Sequence, residues 1–263
     1  MTGGSRTLGK EGKRRPPAAL RRKAAQVDQL LEASYGAPHR RHRLDPVSTL
    51  VLTILSQNTS DTNSHRAFAR LREKFPSWEA VRDAPTPRVV EAIRPAGLAA
   101  LKAPRIQAAL RRITEERGAL SLDFLRRWHP ARAKAWLQNL EGVGPKTAAI
   151  VLVFGLGIPA FPVDTHVFRV GKRIGLIPER MTADDAHAWM EALVPPRRYG
   201  PFHLLLVRHG REVCRARVPR CPVCPVRALC DFYRRPRNPG EARRRTSAQL
   251  RGVRREPSFS RHT

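Results

Sequence analysis

The sequence predicts an all-α protein. Apolar residues recur with a period near 3.6 through most of the chain. No alternation of apolar and polar residues runs long enough for a strand. Short capping signals precede the periodic stretches. With 263 residues, there is room to bury one large core or two smaller ones.

Residues 1–16 hold too few apolar groups to fold and are expected to be a disordered basic arm. A helix follows over 17–35, with Leu20, Ala24, Val27, Leu30 and Leu31 on one side, and then a basic loop over 36–44. Asp45-Pro46 joins a capping residue to a proline suited to the first helical turn. Val47, Leu50, Val51, Ile54 and Leu55 then form a core-facing stripe. Eight polar residues come next, from Ser56 to Asn63. Such short amides and hydroxyls either make ordinary turns or hydrogen-bond bases and phosphates. Helices are expected over 64–75, after the cap Ser77, from Thr86-Pro87 to Ile93, and over 104–116 with Ile106, Ala109, Leu110 and Ile113 inward. Stretches at 123–128 and 131–140 lead into a glycine turn.

In that turn Gly142 and Gly144 flank Val143, and Pro145 opens a helix expected to reach residue 154. A turn that feeds a helix N-terminus offers N–H donors to an anion. Lys146 sits in the first turn, beside the positive end of the helix dipole, where a cation is unfavourable. It is either a solvated lysine after an ordinary turn or a residue kept for chemistry. Asp164 precedes the next helix and taken alone is an N-cap. Thr182 to Asp185 resemble a capping box, with Asp in place of Glu or Gln, ahead of helices over 183–193 and 200–213. All four cysteines follow: Cys214, Cys221, Cys224 and Cys230, spaced C-x6-C-x2-C-x5-C. Clustered cysteines in a reducing compartment favour a metal over disulfides. Four thiolates suit tetrahedral zinc or a 4Fe–4S cluster, and the spacing alone does not choose. Residues 233–263 are basic and poor in apolar groups, and are expected to be disordered.

Lysine and arginine total 50 against 22 acidic residues, a net charge of +28. That charge points to a polyanion, and nucleic acid fits better than membrane because no long apolar or amphipathic anchor accompanies it. The N-terminus lacks an apolar signal core. The expected location is the cytoplasm of a prokaryote, at the nucleoid.

Three segments, in order, resemble the helix-hairpin-helix DNA glycosylases, and the endonuclease III branch in particular. They are the loop ILSQNTSDTN, the pair LEGVGPKTA and VDTHVFRVGKR, and the cysteine loop preceded by HGREVC. The resemblance covers about residues 20–232. It implies a two-lobed fold, with a six-helix barrel over 46–155 and a second helical lobe built from 17–45 and 156–232. The active-site cleft would lie between the lobes. It implies Lys146 as the nucleophile that attacks the sugar and Asp164 as its carboxylate partner. Gly142, Val143, Gly144 and Thr147 would grip a DNA phosphate. Asn58, with Gln57 beside it, would fill the gap left by an extruded base, and this chain has asparagine where some relatives have glutamine. The segment GLAALKA resembles a second inserting turn, with Leu98 entering the opposite strand; the bare residue could equally be core. Cys214, Cys221, Cys224 and Cys230 would hold a 4Fe–4S cluster, with Arg215, Arg217 and Arg220 facing DNA. The implied protein is a monomeric bifunctional DNA glycosylase and AP lyase for oxidised pyrimidines and abasic sites in double-stranded DNA. Two alternatives stand beside it: a single-function glycosylase that uses water, and a DNA-binding module without catalysis.

Overall fold

Side-chain caps mark where half of the described α-helices begin. The computed structural model describes residues 15–38 and 44–235, and no strand occurs among them. The expected N-terminal arm up to residue 14, most of the 36–44 loop and the tail from 236 lie outside the described residues. The helices are α1 (Ala18–Tyr35), α2 (Pro46–Leu55), α3 (Asp61–Lys74), α4 (Trp78–Asp83), α5 (Thr86–Ile93), α6 (Ala99–Arg117), α7 (Pro130–Gln138), α8 (Pro145–Ile150), α9 (Thr165–Ile174), α10 (Ala183–Leu193), α11 (Tyr199–Glu212) and α12 (Asp231–Arg234). Asp45 caps α2 by accepting from Ser48 N at 2.8 Å, and Ser77 caps α4 by accepting from Ala80 N at 3.1 Å. Thr182 caps α10 by accepting from Asp185 N at 3.1 Å, while its own hydroxyl donates to the Asp185 carboxylate at 2.6 Å.

Three boundaries differ from expectation. The polar run after α2 is shorter than its composition indicates. Ser60 accepts from Asn63 N at 3.3 Å and so starts α3 at Asp61, placing the last three polar residues in a helix rather than a loop. Helix α6 begins at Ala99, not near Pro104, which sits inside it. Leu98 O accepts from both Leu101 N and Lys102 N, so the helix is launched before the proline. The burial of Ala103 and Ile106 then outweighs the local cost of the ring. Finally, the helix after the glycine turn does not stop at residue 154. It widens into a π-helical turn over Val151–Leu156. There Gly155 crosses α2 so closely that a Cβ would lie 3.1 Å from Pro46 Cα.

Buried apolar residues form two clusters. One draws on residues between Val47 and Ala160 and fills the space among α2 to α8. The other joins Ala24, Val27 and Leu31 of α1 to residues from Phe161 to Cys230. Leu30, expected inward, is exposed instead. Helix α1 is pinned by Arg198, whose guanidinium donates to both oxygens of the nearly buried Asp28 at 2.6 and 2.8 Å and pairs with Glu32.

Candidate active site and cysteine loop

The glycine turn is tight because Val143 N donates to Leu140 O at 3.0 Å. Gly142 has φ +76°, a conformation that favours glycine, and the Arg105 side chain packs against its face. Gly144 has an ordinary φ of −85° and caps α8. Nothing lies within 4 Å of where its Cβ would be, so what it offers is room for another backbone. The Val143 side chain is buried in the first cluster, and Thr147 is buried too. Gln57 Nε2 donates to Gly142 O at 2.9 Å and to Thr147 Oγ1 at 3.3 Å. Gln57, Val143 and Thr147 therefore brace the turn from inside, and the exposed Gly144 presents its backbone outward.

Lys146, half-buried, stands in the first turn of α8. Asp164 caps α9, its Oδ1 accepting from Val167 N at 2.7 Å. The segment that delivers Asp164 is fixed by two buried histidines on consecutive carbonyls. His187 Nδ1 donates to Phe161 O at 3.0 Å and His203 Nδ1 to Pro162 O at 2.9 Å. Glu191 also accepts from Phe161 N at 3.2 Å. Both candidate catalytic groups act electrostatically on His203. Burial holds its pKa below the ordinary histidine value; the Asp164 carboxylate opposes this, and the Lys146 ammonium and Arg211 reinforce it. One buried imidazole thus lies within electrostatic range of both Lys146 and Asp164. His203 escaped sequence reasoning because nothing local marks a buried histidine on α11.

Asn58 and Leu98 are the non-glycine residues with positive φ among those described, at 53° and 49°. Asparagine tolerates this region, whereas a leucine there is held by its surroundings. Asn58 is exposed and Leu98 is 55% exposed, so both point away from the core that surrounds their flanks. The loop therefore separates its two amides: Gln57 turns inward to the glycine turn and Asn58 stays on the surface.

All four cysteines are free thiols that line one small cavity, together with Arg173, Val226 and Phe232. No three groups among the described His, Cys, Asp and Glu residues are arranged to hold a single metal ion. The four thiols border one space, and four thiolates fit either tetrahedral zinc or a 4Fe–4S cluster. Burial pushes the Cys224 thiol up to about 11; a backbone donor at Val226 opposes this, while Cys230, Cys214 and Cys221 add to it. Such crowding of potential anions suits a cationic inorganic centre. Arg173 fastens the loop to α9 by donating to Arg215 O and Ala216 O, both at 2.7 Å, and to Cys214 Sγ at 3.5 Å. His209 bridges Tyr35 OH at 2.7 Å and Cys224 Sγ at 3.6 Å. Arg215, Arg217 and Arg220 are exposed.

Comparisons with known proteins agree with this geometry. Residues 51–196 match the family described as HhH-GPD superfamily base excision DNA repair protein. A protein of Arabidopsis thaliana named as a candidate DNA glycosylase is 40% identical over 193 residues, which cover 70% of this chain and 65% of that one. Endonuclease III of Thermotoga maritima is 34% identical over 209 residues, covering 80% of this chain and 93% of its own. A solved non-covalent endonuclease III–DNA complex superposes with a TM-score of 0.70 at 26% identity, over 86% of this chain and 98% of the other. A trapped covalent endonuclease III–DNA intermediate gives 0.69, also at 26% identity, over 81% and 97%. The helical fold, the glycine turn with its lysine, and these likenesses along nearly the whole described chain place it in the HhH-GPD superfamily of base excision DNA repair proteins, among those similar to endonuclease III.

Proposed function

We propose that the protein is a bifunctional DNA glycosylase and AP lyase, acting as a monomer on double-stranded DNA that carries oxidised pyrimidines or abasic sites. The observation that carries this reading is Lys146 at the start of α8, after the glycine turn, and Asp164 at the start of α9, in a chain whose fold matches a DNA-bound endonuclease III. The trapped covalent complex of a similar protein supports a nucleophilic side chain over water. In the proposed reaction the backbone of Gly142 to Gly144 and the N-terminus of α8 hold a phosphate. The target nucleotide swings out, and Asn58 and Leu98 occupy the space it leaves. The Lys146 amine must be neutral to attack. Its lone pair forms a bond to the sugar C1′ as the bond from C1′ to the base breaks, and the base leaves with that electron pair and takes up a proton. The nitrogen passes one proton to the departing base; its lone pair then forms the C1′=N bond as the C1′–O4′ bond breaks and O4′ takes up a proton, leaving a protonated imine. Removal of a C2′ proton then breaks the C3′–O bond, cutting the strand, and hydrolysis frees Lys146. Asp164 has one oxygen committed to Val167 N, leaving the other to stabilise positive charge on the sugar or to take a proton. Cys214, Cys221, Cys224 and Cys230 would hold a 4Fe–4S cluster, which when bound supplies a rigid cross-link for the loop that carries Arg215, Arg217 and Arg220.

Borohydride reduction tests the covalent step. Wild-type protein is expected to be trapped on damaged duplex, and Lys146→Gln is expected to abolish trapping while retaining DNA binding. Trapping that survives the substitution removes Lys146 from its role. Strand cleavage without heat or alkali separates this reaction from that of a single-function glycosylase.

A further inference from the structure

Lys102 is the largest fully buried side chain among the described residues, at 2% exposure. Its ammonium donates to Leu55 O at 2.8 Å and to Ala96 O at 2.9 Å, and it forms no ion pair among the described residues. Burial lowers its pKa, and no carboxylate opposes the shift. An apolar residue of similar length would avoid that desolvation cost, so a core under selection for stability alone gains little from a lysine here. The two carbonyls explain the choice. Leu55 O is the last carbonyl of α2, at the negative end of that helix, and the 56–60 loop with Asn58 starts from it. Ala96 O ends the short 3-10 turn Arg94–Ala96, and Gly97 and Leu98 follow. The carbonyls thus lie three and two residues before Asn58 and Leu98, the two non-glycine residues with positive φ among those described.

We propose that Lys102 is a positioning residue that ties the Asn58 loop to the Leu98 turn, so that both enter DNA as one pre-set unit. The proposal rests on the reading above that Asn58 and Leu98 insert. Without the ammonium, two buried carbonyls lose their donor and the two segments can move separately.

Amide hydrogen exchange on the full-length protein tests this first in the wild type. Ser56 N and Gln57 N are hydrogen-bonded on one segment, and Gly97 N and Leu101 N on the other. The four amides are expected to share one opening equilibrium; clearly different ones overturn the proposal, whether or not any variant folds. In Lys102→Met, exchange of all four is expected to rise by about tenfold or more, with Ala148 N in α8 unchanged. A rise in one segment alone also overturns it. The functional measurement uses 2-aminopurine beside a thymine glycol in duplex DNA, with protein in saturating excess. Lys102→Met is expected to slow the fluorescence rise about tenfold while affinity for undamaged duplex stays within about twofold. An unchanged rise sinks the positioning role. If Asn58→Ala and Leu98→Ala both flip the base at the wild-type rate, the insertion reading fails instead, and the exchange result still judges the Lys102 coupling.

Discussion

Asp164 serves two purposes with one carboxylate, and the purposes can be separated. As a cap it accepts from Val167 N with one oxygen; in the proposed reaction the other oxygen serves the sugar. Asparagine is an equally good cap, so Asp164→Asn is expected to melt close to the wild type yet turn over far more slowly. Asp164→Ala is expected to lose about 1 kcal/mol in addition. Thermal melts beside single-turnover rates check both, and an Asn variant with wild-type turnover would leave Asp164 as a cap and nothing more. The positions of Lys146 and Asp164 at the starts of α8 and α9 were legible in the sequence because each is announced locally, by a glycine turn and by a capping residue. His203 and Lys102 were not. A histidine and a lysine on helix faces acquire meaning only when the fold buries them, His203 against Pro162 O and Lys102 against two carbonyls. The inward turn of Gln57 and outward placement of Asn58 also depend on a partner 85 residues away.

Among the elements, helix type and order followed from periodicity, while the departures came from contacts between helices. Pro104 reads as a helix start when only its own neighbours are considered; in the structure the start belongs to Leu98. The π-helical turn after α8 has no clear sequence signal, because it is imposed where α8 and its extension lie against α2. Gly155 marks that contact. In Gly155→Ala the new methyl would sit 3.1 Å from Pro46 Cα and 3.3 Å from Thr49 Oγ1, atoms with little freedom to give. The expected cost is about 1–3 kcal/mol from overpacking. Denaturant titration measures it, and a variant as stable as the wild type would show that the two helices can part without penalty.

At the scale of the whole molecule, charge and burial set the response to solution conditions. A chain with a net charge of +28 should release counterions when it binds duplex. If about six phosphates are neutralised, affinity is expected to fall roughly a thousandfold between about 50 and 200 mM salt. A fluorescence-anisotropy series gives the slope, and a flat one would deny that the net charge faces DNA. Acidity acts through His187 and His203, whose pKa values burial holds below the ordinary 6.5. The folded chain binds fewer protons than the unfolded one in that range. Their contribution is therefore complete above pH 6.5 and drains away as pH falls below it. Melting temperature should drop over that interval, and Phe161 and Pro162, held by these rings, should loosen with it. The composition made the nucleic-acid partner readable from the start. The allocation of α1 to the distant second cluster, which composition does not reveal and the family resemblance implied, is carried by Ala24, Val27 and Leu31 and by the Arg198–Asp28 pair, 170 residues apart.

The widened turn over Val151–Leu156 also acts as a phase setter for everything downstream. A π-turn holds one more residue than the regular helix it interrupts. Deleting a single residue there would leave a tidier helix, but would rotate the departing chain by about 100° and draw it back by about 1.5 Å. The carboxylate that opens α9 would then be aimed elsewhere, with every side chain of the pair still present and correctly folded in its own lobe.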